Sequence, residues 1–324
     1  MLKMIKGGLQ TTVQDLGRCG FQKYGVIASG AMDPFAHRIA NLLVGNDEND
    51  ATLEIALVGP VIEFQQESFI ALCGGDLSPE LNSEPLKMWR TIAVGKGDIL
   101  KFGAPLSGCR AYLAVAGGIS VPLVMDSKAT YLRAEIGGFN GRALKNGDVL
   151  ETGPVVPELL SSLSNAAQKE VEWQIQPPRY FSEPVVRVMK GRQFELFDEA
   201  SKSRLFHDSF LVSSNSDRMG YRLEGAALAL AEPKELISEA VAFGSIQVPA
   251  DGNPIVLLAD RQTTGGYPKI GQVASVDLPL VTQLKPGDRI RFKEITLEEA
   301  QHLFLEQEQQ IRQLKIGIQL KREE

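Results

Sequence analysis

The stretch LLADRQTTGGYPKIG, Leu257–Gly271, concentrates charged and hydrogen-bonding residues directly after an apolar run. The apolar run predicts a buried strand, so Asp260 and Arg261 would emerge at its end. Arginine and lysine around a glycine turn can stabilise negative charge developing on an oxygen atom, and glycine lets backbone N–H groups approach a ligand closely. A hairpin turn with polar neighbours is the alternative, but the variety of groups favours a functional loop. Its candidate residues are Arg261, Gln262, Thr263, Thr264, Gly265, Gly266, Tyr267 and Lys269.

A second candidate is a polar ridge on a predicted helix. Asp33, His37 and Asn41 are spaced four residues apart, and Arg38 is an i,i+3 neighbour of Asn41. A ridge at a helix N-terminus could bind an anionic substrate. The alternative, which spacing alone favours, is that Asp33 only caps the helix and the ridge faces water.

The third candidate is the segment SSNSDRMGYRLEG. Asp217 and Arg218 are adjacent and Arg222 is near, so they could hold a carboxylate or amide by charge-assisted hydrogen bonds. A surface turn with a local ion pair explains them equally well. Glu54 interrupts an apolar run, and we expect its carboxylate to face solvent.

Composition excludes several classes of function. The 324 residues carry a net charge of −6, and the absence of basic runs argues against nucleic-acid binding. We find no signal peptide and no apolar run of ~18 residues, so we expect no membrane association. The odd number and wide spacing of the cysteines, Cys19, Cys73 and Cys109, together with the missing secretion signal, predict reduced thiols and a cytoplasmic location. The histidines form no metal pattern with them, so no metal is predicted.

Most of the chain has the pattern of short strands bounded by glycine, which predicts β-sandwiches or β-barrels. Two helices are predicted, one from about Pro34 to Val44 with Asp33 as N-cap, and one from Thr296, where Glu299 completes a capping box. The predicted strands are 68–75, 91–102, 110–118, 184–191, 209–214, 244–260 and 289–292.

The predicted organisation is a domain at 1–153, a linker at 154–182, a second domain at 183–293 and a C-terminal helix at 294–324. Two echoes suggest a duplicated fold. SGAMDPFAHRI at 29–39 aligns with SSNSDRMGYRL at 213–223, and VGKGDILKF at 94–102 aligns with LKPGDRIRF at 284–292. The Asp–Arg pairing of the first echo carries more weight, because turns do not require it.

Standard catalytic motifs are missing from the sequence. It contains no Walker loop, Rossmann fingerprint, G-x-S-x-G elbow or H-E-x-x-H pair. Catalysis would therefore depend on carboxylates, arginine, lysine and backbone amides.

Four segments carry a resemblance to a known family. They are TTVQDLGRCGFQKYGVIASGAMDPFAHRIANLLVGNDENDATLEIALVGP, GCRAYLAVAGGI, SDRMGYRLEG and ADRQTTGGYPKIG. Together they resemble, over about residues 8–293, the allophanate hydrolase subunit 2 family. That family includes the C subunit of 5-oxoprolinase, a Kip-type antagonist of a sporulation-kinase inhibitor, and part of the biotin-dependent carboxyltransferase region of urea carboxylase.

The resemblance implies a mainly β fold of two tandem cyclophilin-like β-barrel domains with few helices. It also implies the C subunit of an ATP-dependent 5-oxoprolinase, a hydrolase that opens 5-oxo-L-proline to L-glutamate. The implied partners are a Kip-inhibitor-like B subunit together with an A subunit, without which the chain would be inactive or nearly so. The alternatives are a regulatory antagonist that binds a Kip-type inhibitor of a histidine kinase and, with less support, a carboxyltransferase-like amide-binding protein.

The matching positions become site candidates. Catalysis is assigned to Asp33, Arg38, Asp217, Arg261 and Lys269. Substrate binding is assigned to Ser29, Asn41, Arg218, Arg222, Gln262, Thr263, Thr264, Gly265, Gly266 and Tyr267. We expect ATP to bind on a partner or at a non-standard site, and no biotin to be attached, because the chain has no Met-Lys-Met acceptor segment. We also expect the Asp33 ridge and the Arg261 loop to line one cleft.

Overall fold

The computed structural model describes residues 1–155 and 173–323. It divides into two compact units. Unit 1 comprises the described residues of Met1–Arg18, Asp33–Arg179 and Ile311–Glu324, and unit 2 comprises Cys19–Met32 and Tyr180–Gln310. The predicted boundaries differ from this division in that they assign segment 19–32 to the first domain. Most of the predicted linker, residues 156–172, lies outside the described residues.

Unit 1 is built from two antiparallel sheets. One has the order β11-β12-β1-β4-β9-β6-β7 and the other β2-β3-β10-β5-β8. The strands are β1 Leu2–Lys6, β2 Gln10–Gln14, β3 Thr52–Ala56, β4 Val61–Phe64, β5 Ser68–Asp76, β6 Pro79–Leu81, β7 Glu84–Pro85, β8 Thr91–Val94, β9 Ile99–Phe102, β10 Ser107–Val115, β11 Ile119–Ser120 and β12 Val149–Thr152.

The central strands of unit 1 are buried on both faces. Nearly every residue of β5 is buried, in contrast with the alternating pattern of β1, where Leu2 and Met4 point inward. Helix α1, Pro34–Leu43, contacts β5 and β10, so it covers a face of the sheet that would otherwise meet water. Ala36 and Ile39 lie on its buried side, as their spacing predicts.

Unit 2 is a closed barrel of order β13-β20-β17-β18-β15-β14-β21, with a separate two-stranded ribbon, β16-β19. The β13–β21 pair is parallel. The strands are β13 Val185–Lys190, β14 Ser209–Val212, β15 Gly220–Glu224, β16 Glu239–Ala240, β17 Ser245–Gln247, β18 Ile255–Leu257, β19 Thr264–Gly265, β20 Lys269–Val273 and β21 Arg289–Glu294. The helices are α2 Glu199–His207, α3 Leu278–Thr282 and α4 Leu297–Glu323, the last belonging to unit 2 up to Gln310.

The predicted fold class is confirmed, since the chain is mainly β with few helices and a seven-stranded barrel. Both predicted helix starts are also confirmed. The Ala36 N–H donates to Asp33 Oδ1 at 2.9 Å. At the start of α4, Thr296 and Glu299 form the reciprocal capping box. No helix in the described residues is both long and apolar enough to cross a bilayer.

The two sequence echoes have opposite outcomes. The Gly-Asp echo is a shared turn, because Asp98 accepts a hydrogen bond from the Gly95 N–H and Asp288 accepts one from the Lys285 N–H. The Asp–Arg echo has no structural counterpart. Asp33 begins α1, whereas Asp217 lies in the turn before β15. The prediction that the Asp–Arg echo carries more weight than the Gly-Asp echo was therefore wrong.

Candidate functional site

The candidate loop of unit 2 follows β18, as the apolar run predicts. Leu258, Ala259 and Asp260 are buried, and the chain reaches partial exposure at Arg261. The Asp260 N–H donates to the Arg218 carbonyl at 2.8 Å, so the loop is tied to the segment before β15.

A buried ion pair lies at the base of this loop. Arg218 Nε donates to Asp260 Oδ2 at 3.0 Å and Arg218 Nη2 donates to Oδ1 at 3.1 Å. Both residues are almost fully buried, with exposed fractions of 5% for Arg218 and 4% for Asp260. Such a pair is stable only if its remaining donors and acceptors also find partners.

Those partners come from segment 19–32. Ser29 Oγ donates to Asp260 Oδ1 at 2.6 Å, and Arg218 Nη2 donates to the Gly30 carbonyl at 2.6 Å. Ser29 adopts φ 57°, a left-handed conformation that is uncommon for a residue with a side chain. Ser29 was predicted as a substrate contact beside Asp33, but its hydroxyl is directed at Asp260 within unit 2.

Arg261 is a half-buried cation above an aromatic ring. Its guanidinium carbon lies 5.7 Å from the centroid of Phe243. Its hydrogen bonds go to the carbonyls of Leu258 at 3.2 Å and Val241 at 3.5 Å, and no carboxylate pairs with it among the described residues. Burial lowers the pKa of Arg261, while a nearby Cys19 thiolate would act in the opposite direction. The arrangement leaves guanidinium donors available for an anionic ligand.

Lys269, by contrast, forms an ion pair within the protein. Its Nζ lies 2.9 Å from Glu239 Oε2 and 3.3 Å from the Ala240 carbonyl. The Lys269 ammonium lowers the pKa of Glu239, with Arg192 contributing less. An anion that used Lys269 would have to compete with Glu239.

The end of the loop, residues 266–268, forms one edge of a pocket. Thr264 and Gly265 pair with β16, and a Cβ at position 265 would lie 2.6 Å from Gln247 Nε2, so the Gln247 side chain would have to move. The pocket has a volume of about 690 Å³, and Gly266 and the exposed Tyr267 contribute to its wall. Its other lining residues are mostly apolar, among them Phe197, Leu228, Leu230, Leu236 and Val248. Gln262 and Thr264 are exposed and Thr263 is half-buried.

Asp217 and Arg222 lie in the turn before β15 and on β15 itself. Asp217 Oδ1 accepts from the N–H groups of Met219 and Gly220, which is the geometry of a turn. Arg222 points outward from β15, where Tyr221 and Leu223 point into the barrel. Of the predicted Asp217, Arg218 and Arg222 set, the structure brings only Arg218 to the base of the loop.

The polar ridge of unit 1 is buried, contrary to the expectation that it faces water. Asp33, His37 and Asn41 are all fully buried. His37 Nδ1 lies 2.9 Å from Thr52 Oγ1, and Asn41 Nδ2 donates to the Asp50 carbonyl at 2.7 Å. Burial lowers the pKa of His37 to about 4, outweighing the opposite effect of Asp15, so the imidazole is neutral near pH 7.

Glu54 is also buried, which corrects the expectation that it faces solvent. The Tyr112 hydroxyl accepts from the Asp33 N–H at 2.8 Å and donates to Glu54 Oε2 at 2.8 Å. The guanidinium of Arg110 lies 3.9 Å from Glu54. Burial, followed by the charge of Glu54, raises the pKa of Tyr112, so the hydroxyl stays protonated as a donor.

Arg38 forms an ion pair with Glu48. Its Nη2 lies 2.7 Å from Glu48 Oε2, and Lys315 of α4 lies 3.6 Å from the other oxygen. Asp33, Arg38 and Asn41 are therefore all engaged within unit 1, and their predicted roles stay predictions. The Asp33 ridge belongs to unit 1 and the Arg261 loop to unit 2, and their meeting in one cleft also stays a prediction.

Asp260 and Glu54 are not among the predicted site residues. Asp260 was recognised as part of the loop, but local sequence carries no signal that pairs it with Ser29, 231 positions away. The described residues contain no cluster of three or more histidine, cysteine or acidic side chains that could hold a metal ion.

Comparisons with known proteins identify the family. The family model named carboxyltransferase domain, subdomain A and B, matches residues 24–294. The chain is 40% identical over 314 residues to the 5-oxoprolinase C subunit of Escherichia coli, covering 97% of each chain. The Haemophilus influenzae protein of the same name is 37% identical over 94% of each chain.

Solved structures agree with the sequence matches. The Kluyveromyces lactis urea amidolyase is similar at 33% identity with a TM-score of 0.85, and the match covers 96% of this chain. The chain spans 20% of the length of that protein and 29% of the Kluyveromyces lactis urea carboxylase chain, which has the same TM-score. The chain belongs to the carboxyltransferase-domain family, subdomains A and B, whose members include proteins named as the C subunit of 5-oxoprolinase.

Proposed function

We propose that this chain is the C subunit of an ATP-dependent 5-oxoprolinase that opens 5-oxo-L-proline to L-glutamate. The observation that carries the proposal is the 40% identity to the Escherichia coli C subunit over 97% of both chains. The match to that protein extends from end to end, whereas the urea amidolyase of Lachancea kluyveri is matched over only 18% of its length.

The chemistry requires groups that stabilise negative charge. A lactam is a stable amide, and phosphorylation of its oxygen, which ATP supplies, makes the ring carbon a better electrophile for water. Both the substrate carboxylate and the phosphoryl group are anions. We assign anion binding to Arg261, because its guanidinium is half-buried and pairs with no carboxylate among the described residues. Thr263 and Thr264 supply hydroxyls beside it.

The helix N-termini in the described parts of the chain, residues 1–155 and 173–323, do not suit nucleotide phosphates. Phosphate sites commonly use free N–H groups at the start of a helix. Here Asp33 caps α1, Asp198 caps α2, and Thr296 with Glu299 caps α4. Asp277 precedes α3. These carboxylates would repel a phosphate, so we propose that ATP binds on another component of the complex.

The proposed partners are a B subunit resembling a Kip-type inhibitor, together with an A subunit. The word "subunit" in the names of both relatives supports a complex. Neither relative is named as a regulator, so the regulatory alternative gains no support.

The proposal is tested by measuring glutamate released from 5-oxo-L-proline and ATP by this chain with its A and B partners. Each component is omitted in turn, and a parallel reaction replaces the lactam with urea, bicarbonate and a biotinylated carrier. We expect glutamate only from the complete mixture and no turnover of urea. A complete, assembled mixture that releases no glutamate, or equal release without this chain, would refute the proposal.

A further inference from the structure

We propose that Arg218 and Asp260 form a clasp that fixes segment 19–32 to the Arg261 loop, which makes Asp260 a positioning residue for Arg261. The effect on catalysis rests on the proposed function, but the clasp itself does not. The clasp consists of the Arg218–Asp260 ion pair, the Ser29 hydroxyl and the Gly30 carbonyl, all in unit 2.

The contacts engage both oxygens of the Asp260 carboxylate. Its Oδ1 accepts from Ser29 Oγ at 2.6 Å and Arg218 Nη2 at 3.1 Å, and its Oδ2 accepts from Arg218 Nε at 3.0 Å. Removing the Asp260 carboxylate would take away the charged partner that Arg218 contacts through two nitrogens, and breaking a buried ion pair is strongly unfavourable. The three groups therefore hold one another in a single arrangement.

The clasp acts on Arg261 through the backbone. Asp260 is the residue before Arg261, and its N–H is held by the Arg218 carbonyl at 2.8 Å. The Arg261 N–H donates to the Leu258 carbonyl at 3.2 Å. Anchoring position 260 through both side chain and main chain limits where the Arg261 guanidinium can lie. A displacement of about 1 Å in a substrate-positioning group can cost ~100-fold in rate.

The clasp also fixes the unusual backbone of segment 19–32. Ser29 at φ 57° is followed by Gly30 at φ 91°. A non-glycine residue persists in the left-handed region only when its surroundings hold it there. The hydroxyl bond from Ser29 and the carbonyl bond to Gly30 are those determinants.

Cys19 provides a reporter at the start of the same segment. It is exposed, whereas Cys73 and Cys109, the other cysteines of the chain, are buried. A thiolate at Cys19 would interact with Arg261. The rate at which N-ethylmaleimide alkylates Cys19 therefore reports the position of the segment beside the loop.

The clasp is tested first without reference to activity. Amide hydrogen exchange and Cys19 alkylation are compared for the wild type, Asp260→Asn, Ser29→Ala and the exposed control Asp251→Ala. For both Asp260→Asn and Ser29→Ala, we expect amide exchange to become faster in residues 19–32 and 258–264 together, while exchange in β13 stays unchanged. We also expect the alkylation rate of Cys19 to change at least about threefold in both variants. A rise confined to 258–264 in Asp260→Asn, with 19–32 protected as in the wild type, would overturn the clasp.

The positioning role is tested by a double-mutant cycle on glutamate release. We expect Asp260→Asn to lower kcat at least about tenfold in the wild type and less than about twofold in Arg261→Ala, because Asp260 acts through Arg261. Equal factors in both backgrounds would overturn the positioning role. If the wild-type complex releases no glutamate, the proposed function has failed, and the exchange experiment still decides the clasp.

Discussion

Ser29 and Asp260 lie 231 positions apart in the chain, yet the Ser29 hydroxyl donates to the Asp260 carboxylate at 2.6 Å inside unit 2. The contact places part of the N-terminal signature segment against the loop that contains Arg261. It also gives the hydroxyl of Ser29 a fixed partner at a left-handed backbone position. The candidate site of unit 2 therefore includes residues from both halves of the sequence.

Tyr112→Phe should destabilise unit 1. The hydroxyl is buried between the Asp33 N–H and the Glu54 carboxylate, and its loss leaves both groups short of a partner. We expect the free energy of unfolding to fall by about 1–3 kcal/mol in urea titrations.

The matched control is Tyr24→Phe, because Tyr24 is 71% exposed. Its unfolding free energy should stay within about 0.5 kcal/mol of the wild type. Equal stability of the two variants would contradict the buried network.

His37 should make stability fall as the solution is acidified. The pKa of His37 is about 4 in the folded chain against 6.5 for an ordinary histidine, because burial disfavours its charged form. Between these values the unfolded chain binds a proton that the folded chain does not. Its contribution to stability is therefore complete above pH 6.5 and falls towards pH 4, by roughly 2–3 kcal/mol between pH 7.5 and 4.5.

Proton NMR titration of the histidine ring signals measures this directly. A His37 midpoint near 6.5 in the folded protein would contradict the assignment. Urea midpoints of the wild type and His37→Gln are also compared at pH 7.5 and pH 4.5. The loss of stability that His37 itself causes at the lower pH should appear only in the wild type.

Replacing glycine by alanine should change the folding stability in opposite directions at two positions. Gly287 has φ 92° in the turn before β21, and an added Cβ would meet no atom within 4 Å. Gly287→Ala should therefore cost about 1 kcal/mol through backbone strain alone. Gly317 lies within α4, also with open space, so Gly317→Ala should stabilise by up to about 1 kcal/mol. Thermal unfolding of both variants measures these changes in stability. A change in the same direction in both variants would contradict the prediction.

Asp33→Asn separates the observed cap from the predicted catalytic role. Asparagine caps helices as well as aspartate does, so we expect Asp33→Asn to keep its urea midpoint and Asp33→Ala to lose about 1 kcal/mol. If Asp33 is catalytic as predicted, the folded Asp33→Asn variant will release no glutamate. Wild-type turnover in that variant would remove Asp33 from the catalytic set.

Local patterns in the sequence predicted the elements that local physics determines. The helix starts at Asp33 and Thr296 follow from capping, and the strand after which Asp260 emerges follows from its apolar run. The Gly-Asp turns at Gly97 and Gly287 also follow, because each needs a left-handed glycine and an aspartate that accepts a backbone hydrogen bond.

Partners distant in sequence could not be predicted in this way. Glu54 interrupts an apolar run, and its burial depends on tertiary contacts such as the one with the Tyr112 hydroxyl, 58 positions away. Likewise, nothing near Lys269 in the sequence indicates its pairing with Glu239. Residue types identified the Arg261 loop, but the charge balance within it depends on tertiary contacts.

Anion binding by Arg261 is tested most sharply by kcat/KM for glutamate release by the reconstituted complex carrying Arg261→Ala. The control is Arg179→Ala, which removes an exposed arginine of unit 1. Size-exclusion chromatography first confirms that each variant assembles with its partners. We predict a loss of about 100-fold or more for Arg261→Ala and less than about twofold for Arg179→Ala. An assembled Arg261→Ala complex with wild-type kcat/KM would contradict the assignment of anion binding to Arg261.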